Sequence, residues 1–331
     1  MKELLDKNPI SVRSLGKTYG IDGKQLECQY RDHLSDFHSW DQLLHAEDYI
    51  IFPKNIGPYL SLDETSLSMG ELYTIITNKA AKGQKGALVA MIKGISYDKI
   101  QPILNKIPLG KRNKVIEVTC DMAGCMQNIA KYCFPKAIVV TDRFHVQKLA
   151  YDAVQEMRIS YRWEAIDNEN KEMELAKEVG RTHKPHILEN GETVKQMLAR
   201  SRYLLFKRDD KWTPSQRQRA EILFEYYPNL QKAYDLAMQL GYVYNQTKDK
   251  NLALTRLAKW YNKVEIAGFK SFNTVANSIQ LNYKTILNYF KNRNTNASAE
   301  SFNAKIKGFR TQFRGVRNVT FFLYRLAKIY A

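Results

Sequence analysis

The chain has 331 residues, of which 44% are hydrophobic and 26% are charged, and its formal net charge is +17 at pH 7. This composition excludes wholesale disorder, and no stretch approaches the roughly 20 apolar residues that a membrane-spanning helix needs. The excess of cations predicts a nucleic-acid partner, because Lys and Arg that neutralise phosphates release counterions. We therefore expect a soluble intracellular protein with no membrane partner.

Residues 1–52 are predicted to form a small helical segment, although they carry nine acidic residues against six Lys or Arg. Within it, residues 11–34 indicate two short helices around the turn "YGIDG", with Val12, Leu15 and Tyr19 on one helical face. Gly16 would allow the close crossing of a helix-turn-helix. Two interpretations stay open, a DNA-recognition element and a plain helical hairpin. In the first, the side chains facing a DNA groove would be Lys24, Gln25 and Gln29.

Residues 53–150 predict a sheet. Three strands, "GPYLSLDETS", "MGELYTIITNK" and "KGALVAMIKGI", are joined by short connections, which favours an antiparallel meander. The apolar runs "KVIEVTCD" and "AIVVTD" follow, each preceded by a helical pattern, and such runs are typical of buried parallel strands. The predicted order is βββαβαβ, followed by a helix.

Residues 151–290 contain no convincing strand pattern and predict a large all-helical insertion. Pro185, Pro214 and Pro228 are expected to break or start its helices. The four cysteines form no CxxC pair, so we expect reduced thiols that are mostly buried.

Residues 291–331 are predicted to complete the sheet-containing core with basic helices. From Ile266 to Ala331 there are eleven Lys or Arg but a single carboxylate, Glu300. Two further carboxylates are candidates for the same site. They are Asp63 on the first strand and Asp121 at the end of the fourth. Carboxylates gathered in one cleft repel each other unless a cation shares them, and Mg²⁺ prefers oxygen ligands. Glu300 would then complete a metal site within a phosphate-binding surface.

The strings "LDETSL", "CDMAGCMQNIAKYCFPKAIVVTDRFHVQK" and "NASAESFNAKIKGFR" resemble bacterial insertion-sequence DDE transposases of the ISL3 type. The resemblance implies an α/β fold with a ribonuclease-H-like mixed sheet, interrupted by the helical insertion. It also implies that the protein cleaves DNA strands at the element ends and transfers them into target DNA. Both reactions would depend on two bound Mg²⁺ or Mn²⁺ ions. The catalytic metal ligands would be Asp63, Asp121 and Glu300.

The same resemblance implies a homo-oligomer on DNA, in the bacterial cytoplasm and associated with the nucleoid. Members of this family often begin with a cysteine-rich zinc-binding segment, which this sequence lacks. A companion polypeptide could therefore supply recognition of the element ends.

Asp121 and Asp142 both end apolar strands, and strand order decides between them. In the fold that the chain resembles, the fourth strand pairs with the first and the fifth lies beyond it. A residue two strands away is about 10 Å off, since strands are spaced by about 4.8 Å. Asp121 is therefore the predicted ligand. Asp142 and His145, in "DRFH", match an Asp-x-x-His element near the site, or they fix the start of a helix.

The residues expected to bind the DNA backbone or to flank the metals, or else to line a solvated helix face, are Asn303, Lys305, Lys307, Arg310 and Arg314. We expect Glu64, Asp98 and Glu117 to be exposed charges without a role in the site. Two other functions remain open, a nuclease on the same scaffold that cuts without joining, and an inactive DNA-binding relic.

Overall fold

The computed structural model describes residues 1–67, 70–313 and 316–331. The chain folds as two compact units. The first comprises Met1–Asp142 and Arg293–Ala331, and the second comprises Arg143–Asn292. Within the described ranges, no helix is both long and apolar enough to cross a membrane.

The first unit contains a six-stranded mixed sheet. Its strands are β1 Tyr49–Ile51, β2 Tyr59–Ser66, β3 Leu72–Asn78, β4 Leu88–Lys93, β5 Glu117–Cys120 and β6 Ile138–Thr141. They lie in the order β1-β4-β3-β2-β5-β6. The pairs β2–β3 and β3–β4 are antiparallel, whereas β2–β5 and β5–β6 are parallel. The predicted antiparallel meander and the two parallel strands are confirmed. The edge strand β1 was not predicted, because three residues are too few to show the alternating pattern of a strand.

Fifteen α-helices surround or follow these strands in the described chain. The first unit begins with α1 Lys2–Lys7, α2 Val12–Thr18, α3 Gly23–Gln29, α4 Tyr97–Leu104, α5 Leu109–Arg112 and α6 Gly124–Cys133. The second unit consists of α7 Arg143–Glu178, α8 Val194–Arg200, α9 Pro214–Tyr226, α10 Pro228–Gln246, α11 Lys250–Ala267, α12 Lys270–Leu281 and α13 Tyr283–Asn292. The chain then returns to the first unit with α14 Ala297–Gln312 and α15 Val319–Tyr330.

Both faces of the sheet are covered by helices. On one face, Leu62 of β2 and Val118 of β5 belong to a buried cluster with Ile129 of α6. On the other, Ile75 of β3 belongs to a cluster with side chains of α14 and α15. The three α14 residues that the sequence directs inward, Phe302, Ile306 and Phe309, are all in that cluster. Burial on two faces explains why β4 is an almost continuous apolar run, since its side chains enter both clusters.

The N-terminal helices α2 and α3 cross closely, as the sequence predicts. A Cβ atom added to Gly16 would lie 2.9 Å from Gly23 Cα, so a side chain cannot be placed there without a shift. Gly20 in the turn has a φ of +69°, which favours glycine. Val12 and Leu15 are buried, whereas Tyr19, predicted on the same helical face, directly follows the last residue of α2 and is 56% exposed.

The N-terminal segment shares its core with α15. Leu15 and Tyr30 belong to one buried cluster with Phe321 and Tyr324. Arg325 of α15 is fully buried and its Nη2 donates to the carbonyl oxygen of Leu5 at 2.6 Å, with longer bonds to two further carbonyls. The guanidinium also lies over the Tyr30 ring, 5.2 Å from its centroid. This arginine therefore fastens the start of the chain to α15.

The second unit is helical, as predicted, apart from one isolated bridge between Ile187 and Thr193. Pro214 and Pro228 lie in the first turns of α9 and α10. A backbone N–H has no partner within the helix at that position, so the missing N–H of proline costs nothing there. Thr193 and Thr213 each begin a helix with a capping box.

A buried carboxylate, Glu192, ties several segments of the second unit together. Arg219 donates to both of its oxygens, at 2.6 and 2.9 Å, and Arg200 donates to one of them at 2.9 Å. Asn190 donates to the other at 3.0 Å. The hydrogen bonds from Arg219 are the main reason that the pKa of Glu192 falls to about 2.

Candidate active site

Asp63 lies within β2, and Asp121 and Asp142 directly follow the adjacent strands β5 and β6. Ser61 pairs with Thr119, and Thr119 pairs with Val140, in parallel register. Two residues further along, the same register sets Asp63, Asp121 and Asp142 in a row on one face of the sheet, because side chains alternate with a period of two. Asp121 is thus next to Asp63, whereas Asp142 is one strand further away. This confirms the strand order on which the choice of Asp121 depends, and the choice itself stays a prediction.

Helix α14 lies over this row and is bonded to Asp63. Asn303 donates from its Nδ2 to Asp63 Oδ2 at 2.8 Å and to the Glu64 carbonyl oxygen at 3.1 Å. Glu300 is exposed and stands one turn earlier on the same helix, so it shares a helical face with Asn303. The contact that Asn303 makes is therefore with a predicted metal ligand.

Asp142 is almost completely buried, with 1% of its surface exposed. Its Oδ1 accepts the backbone N–H of Asn296 at 3.3 Å, and Asn296 directly precedes α14. One of its carboxylate oxygens lies within 4.8 Å of a Glu300 oxygen. Asp142 thus fixes the start of the helix that carries Glu300.

The carboxylates of Asp63, Asp121 and Glu300 are not gathered as closely as those of Asp142 and Glu300. In the described part of the chain, these three do not form a group whose oxygens all lie within 4.8 Å of one another. Asp63 is bonded to Asn303, and Asp121 Oδ1 accepts the N–H of Ala123 at 3.0 Å, closing the loop after β5. Each carboxylate is therefore held by its own local partner.

Several buried polar atoms beside Asp142 have no hydrogen-bond partner in the described structure. They are Asp142 Oδ2, Asn296 Oδ1 and Nδ2, and Asn303 Oδ1. A buried polar atom without a partner costs about 1–3 kcal/mol, so such a cluster requires an explanation. Carboxylate and amide oxygens are the donors that Mg²⁺ and Mn²⁺ prefer. The residues present therefore suit a hard divalent cation.

A buried charge network that the sequence did not predict lies on the same sheet face. Glu117 is 2% exposed, so its expected exposure is wrong, whereas Glu64 and Asp98 are exposed as predicted. The Lys79 ammonium is 3.7 Å from Glu117 Oε1 and also donates to the Thr119 hydroxyl. Asn294 Nδ2 donates to the same Glu117 oxygen at 2.7 Å. These partners make it possible to bury Glu117 in a central strand.

Burial lowers the pKa of Lys79, and the negative charges of Glu117 and Asp142 act in the opposite direction. Thr119, which accepts from Lys79, precedes Asp121 by two residues on the same face. The lysine therefore brings a cation beneath the row of aspartates. No local sequence signal pointed to it, because residues 79, 117 and 294 are far apart in the chain.

The predicted DNA-binding residues of α14 have different surroundings. Lys305 donates to the Gly83 carbonyl oxygen at 2.8 Å, and Arg310 donates to those of Ser66 and Leu67 at 2.8 and 2.9 Å. Lys307 is exposed. Arg314 lies outside the described residues. Contact of these side chains with DNA stays a prediction.

His145 follows Asp142 by three residues and lies in the first turn of α7, at the beginning of the second unit. The four cysteines are free, as expected, but only Cys120 and Cys133 are buried.

A family model described as a transposase, for DDE transposases of the ISL3 type, matches residues 60–326. The chain belongs to this family. The match begins in β2 and ends in α15, so it includes all three predicted catalytic carboxylates and the whole helical unit. No curated protein and no solved structure matches the chain significantly.

Proposed function

We propose that the chain is an insertion-sequence transposase that cuts DNA at the element ends and joins the cut strand to target DNA. Its first unit would be a ribonuclease-H-like catalytic core, and Arg143–Asn292 would be a helical insertion ahead of the catalytic glutamate. One observation carries the proposal. The helix that bears Glu300 is bonded through Asn303 to Asp63, whose register neighbour is Asp121.

In this proposal Asp63, Asp121 and Glu300 hold a pair of Mg²⁺ or Mn²⁺ ions. When bound, such ions activate the attacking hydroxyl and stabilise the charge of an in-line displacement at phosphorus. The contribution of the protein side chains is to position the metal ligands and to balance their charge. Asn303 orients the Asp63 carboxylate, Asp142 fixes the first turn of α14, and Lys79 offsets the negative charge beneath the site. The attacking group would be water in cleavage and a 3′-hydroxyl in transfer.

The proposed partners are the DNA of the element ends and of the target. We further propose that the chain acts as a homo-oligomer on DNA in the bacterial cytoplasm. End recognition could come from the N-terminal segment or from a companion polypeptide.

The proposal is tested with a duplex that carries the DNA flanking the coding region, together with an unlabelled target duplex. The label is at the 5′ end of the strand whose 3′-hydroxyl is exposed by cleavage, so it stays on the strand that joins the target. We expect Mg²⁺- or Mn²⁺-dependent cleavage and covalent attachment of the label to the target. Asp63→Asn, Asp121→Asn and Glu300→Gln should each lower both activities by at least about 1000-fold, because each removes charge stabilisation of the reacting phosphate.

Two exposed carboxylates give matched controls, since Glu64→Gln and Asp98→Asn remove the same charge outside the row of aspartates. Both should retain activity. Cleavage without attachment would indicate a nuclease, and metal-independent binding without cleavage an inactive relic. If Asp121→Asn stays active while Asp142→Asn does not, the choice between the two aspartates is wrong.

A further inference from the structure

A cavity of about 640 Å³ lies in the first unit, between the N-terminal helices and the connection from α14 to α15. Four cationic side chains line it, Arg13, Lys17, Arg31 and Arg317, together with one carboxylate, Glu27. It is separate from the row of aspartates, none of which contributes to its lining. Such an excess of cations around a concave surface fits an anionic ligand.

The cations of the N-terminal segment are concentrated in this cavity. Residues 1–52 contain six Lys or Arg and nine acidic residues, a balance that argued against DNA binding. Three of the six cations line the cavity, but only one of the nine acids does. Folding then adds Arg317 from the C-terminal part of the chain. The acidic balance of the segment therefore does not describe its binding surface.

Two of the cations are held by carboxylates, and two are not. Arg13 donates to Glu27 at 2.5 Å, and Arg31 makes two bonds of 2.7 Å to Asp32. Among the ion pairs of the described residues, neither Lys17 nor Arg317 takes part. Both side chains are exposed at the cavity. They are the charges available to a ligand.

The polar groups of the lining connect the two ends of the chain. The Ser11 N–H donates to Gln312 Oε1 at 3.0 Å, which joins the start of α2 to the end of α14. The Asn318 side chain accepts the Phe321 N–H at 2.8 Å and so caps α15. Lys17 lies on α2, and Arg317 lies in the connection between α14 and α15, directly before the capping residue Asn318. The hydrogen bond from Ser11 joins these two segments, which lowers the entropy cost of using their charges together.

We propose that this cavity binds the phosphodiester backbone of DNA. The choice of DNA as the polyanion depends on the proposed function, whereas the anionic chemistry depends on the lining alone. Charged side chains that meet phosphates fix the position of a protein on DNA without reading its sequence. The cavity would therefore hold a DNA strand in place while another part of the chain reads or cuts it.

The test is the salt dependence of binding to a duplex, measured by fluorescence anisotropy with the full chain and without divalent ions. Each neutralised phosphate contributes a slope of about −0.9 to the plot of log affinity against log salt. The double variant Lys17→Gln/Arg317→Gln should therefore flatten the slope by up to about 1.8. The control Lys2→Gln/Lys54→Gln removes two exposed lysines of the same unit that neither line the cavity nor belong to the predicted DNA-binding residues, and should leave the slope unchanged.

A second variant keeps the proposal testable if the double variant folds poorly. Asn318→Asp preserves the acceptor that caps α15 but adds a carboxylate to the cavity, so it should weaken DNA binding without lowering stability. A wild-type slope in both cavity variants overturns the proposal, as does an equal loss in the lysine control. Tighter binding of an RNA duplex than of DNA overturns the choice of DNA. The binding assay contains no divalent ion and does not depend on catalysis. Absence of strand cleavage in the separate assay with Mg²⁺ or Mn²⁺ would therefore contradict the proposed function and not the binding proposal.

Discussion

Two buried carboxylates, one in each unit, have opposite surroundings. Glu192 in the helical unit is a side chain with 5% exposure, and four N–H groups from Arg200, Arg219 and Asn190 satisfy its two oxygens. Asp142 in the sheet unit is buried equally well, but it has one backbone N–H at 3.3 Å and its Oδ2 has no hydrogen-bond partner.

The difference separates a structural charge from a functional one. A buried carboxylate with a complete set of donors offsets its own desolvation and stabilises the fold. A carboxylate whose donor set is incomplete adds to the energy of the folded state unless another group binds there. We therefore expect substitutions at Glu192 to alter stability, and those at Asp142 and Asn296 to alter activity.

The largest effect is expected for Glu192→Gln, which leaves Arg219 and Arg200 without their anion. Unfolding of the helical unit should require roughly 3 kcal/mol less, the value that corresponds to a pKa lowered from 4.5 to about 2. Three of the four tryptophans lie in residues 143–292, so urea unfolding followed by tryptophan fluorescence reports mainly on this unit. Glu189→Gln, an exposed carboxylate of the same loop, is the control.

The same contrast predicts a pH dependence. Because the folded-state pKa of Glu192 is lowered, its contribution is fully present above pH 4.5 and is lost as the pH falls toward 2. The wild-type helical unit should lose stability in that window, and Glu192→Gln should lose less. Equal acid sensitivity of the two proteins would show that Glu192 is not the titrating group.

An intermediate effect is expected for Asp142. Asp142→Ala removes the acceptor for the Asn296 N–H, so Glu300 loses its fixed position and the rate of strand cleavage should fall at least about 10-fold. Asp142→Asn keeps an oxygen at that place and should recover most of the rate at saturating Mn²⁺. If both variants are equally inactive, the charge of Asp142 is required, and a role in position alone is excluded.

The smallest effect on stability is expected for Asn296→Ala. Removing a helix-capping side chain usually costs about 1 kcal/mol, but the Asn296 side chain makes no capping bond and its polar atoms have no partner in the described structure. Removing the unpartnered buried amide offsets part of the lost packing, so the free energy of unfolding should fall by less than the roughly 1 kcal/mol of a lost cap. Strand cleavage should still fall, because Asn296 is buried beside Asp142 at the start of the helix that carries Glu300. A loss of stability typical of capping residues would contradict this account.

The strand order and the aspartates on or directly after the strands were predictable, because an alternating strand pattern and an apolar run followed by a carboxylate are local features. The helical character of Arg143–Asn292 was predictable for the same reason. The Asn303–Asp63 bond spans 240 positions, and nothing near either residue indicates it. Glu117 was expected at the surface because a carboxylate normally is, and only the approach of Lys79 and Asn294 makes its burial tolerable.

The buried Arg325 has a consequence for the order in which the protein is made. The core that holds α2 and α3 contains Phe321 and Tyr324, and the guanidinium of Arg325 bonds the Leu5 carbonyl. These helices emerge from the ribosome before α15, and they cannot complete their packing until α15 has also emerged. A nascent chain therefore cannot assemble the basic cavity. Under the proposal made for that cavity, the polypeptide can bind DNA through it only after α15 has been translated.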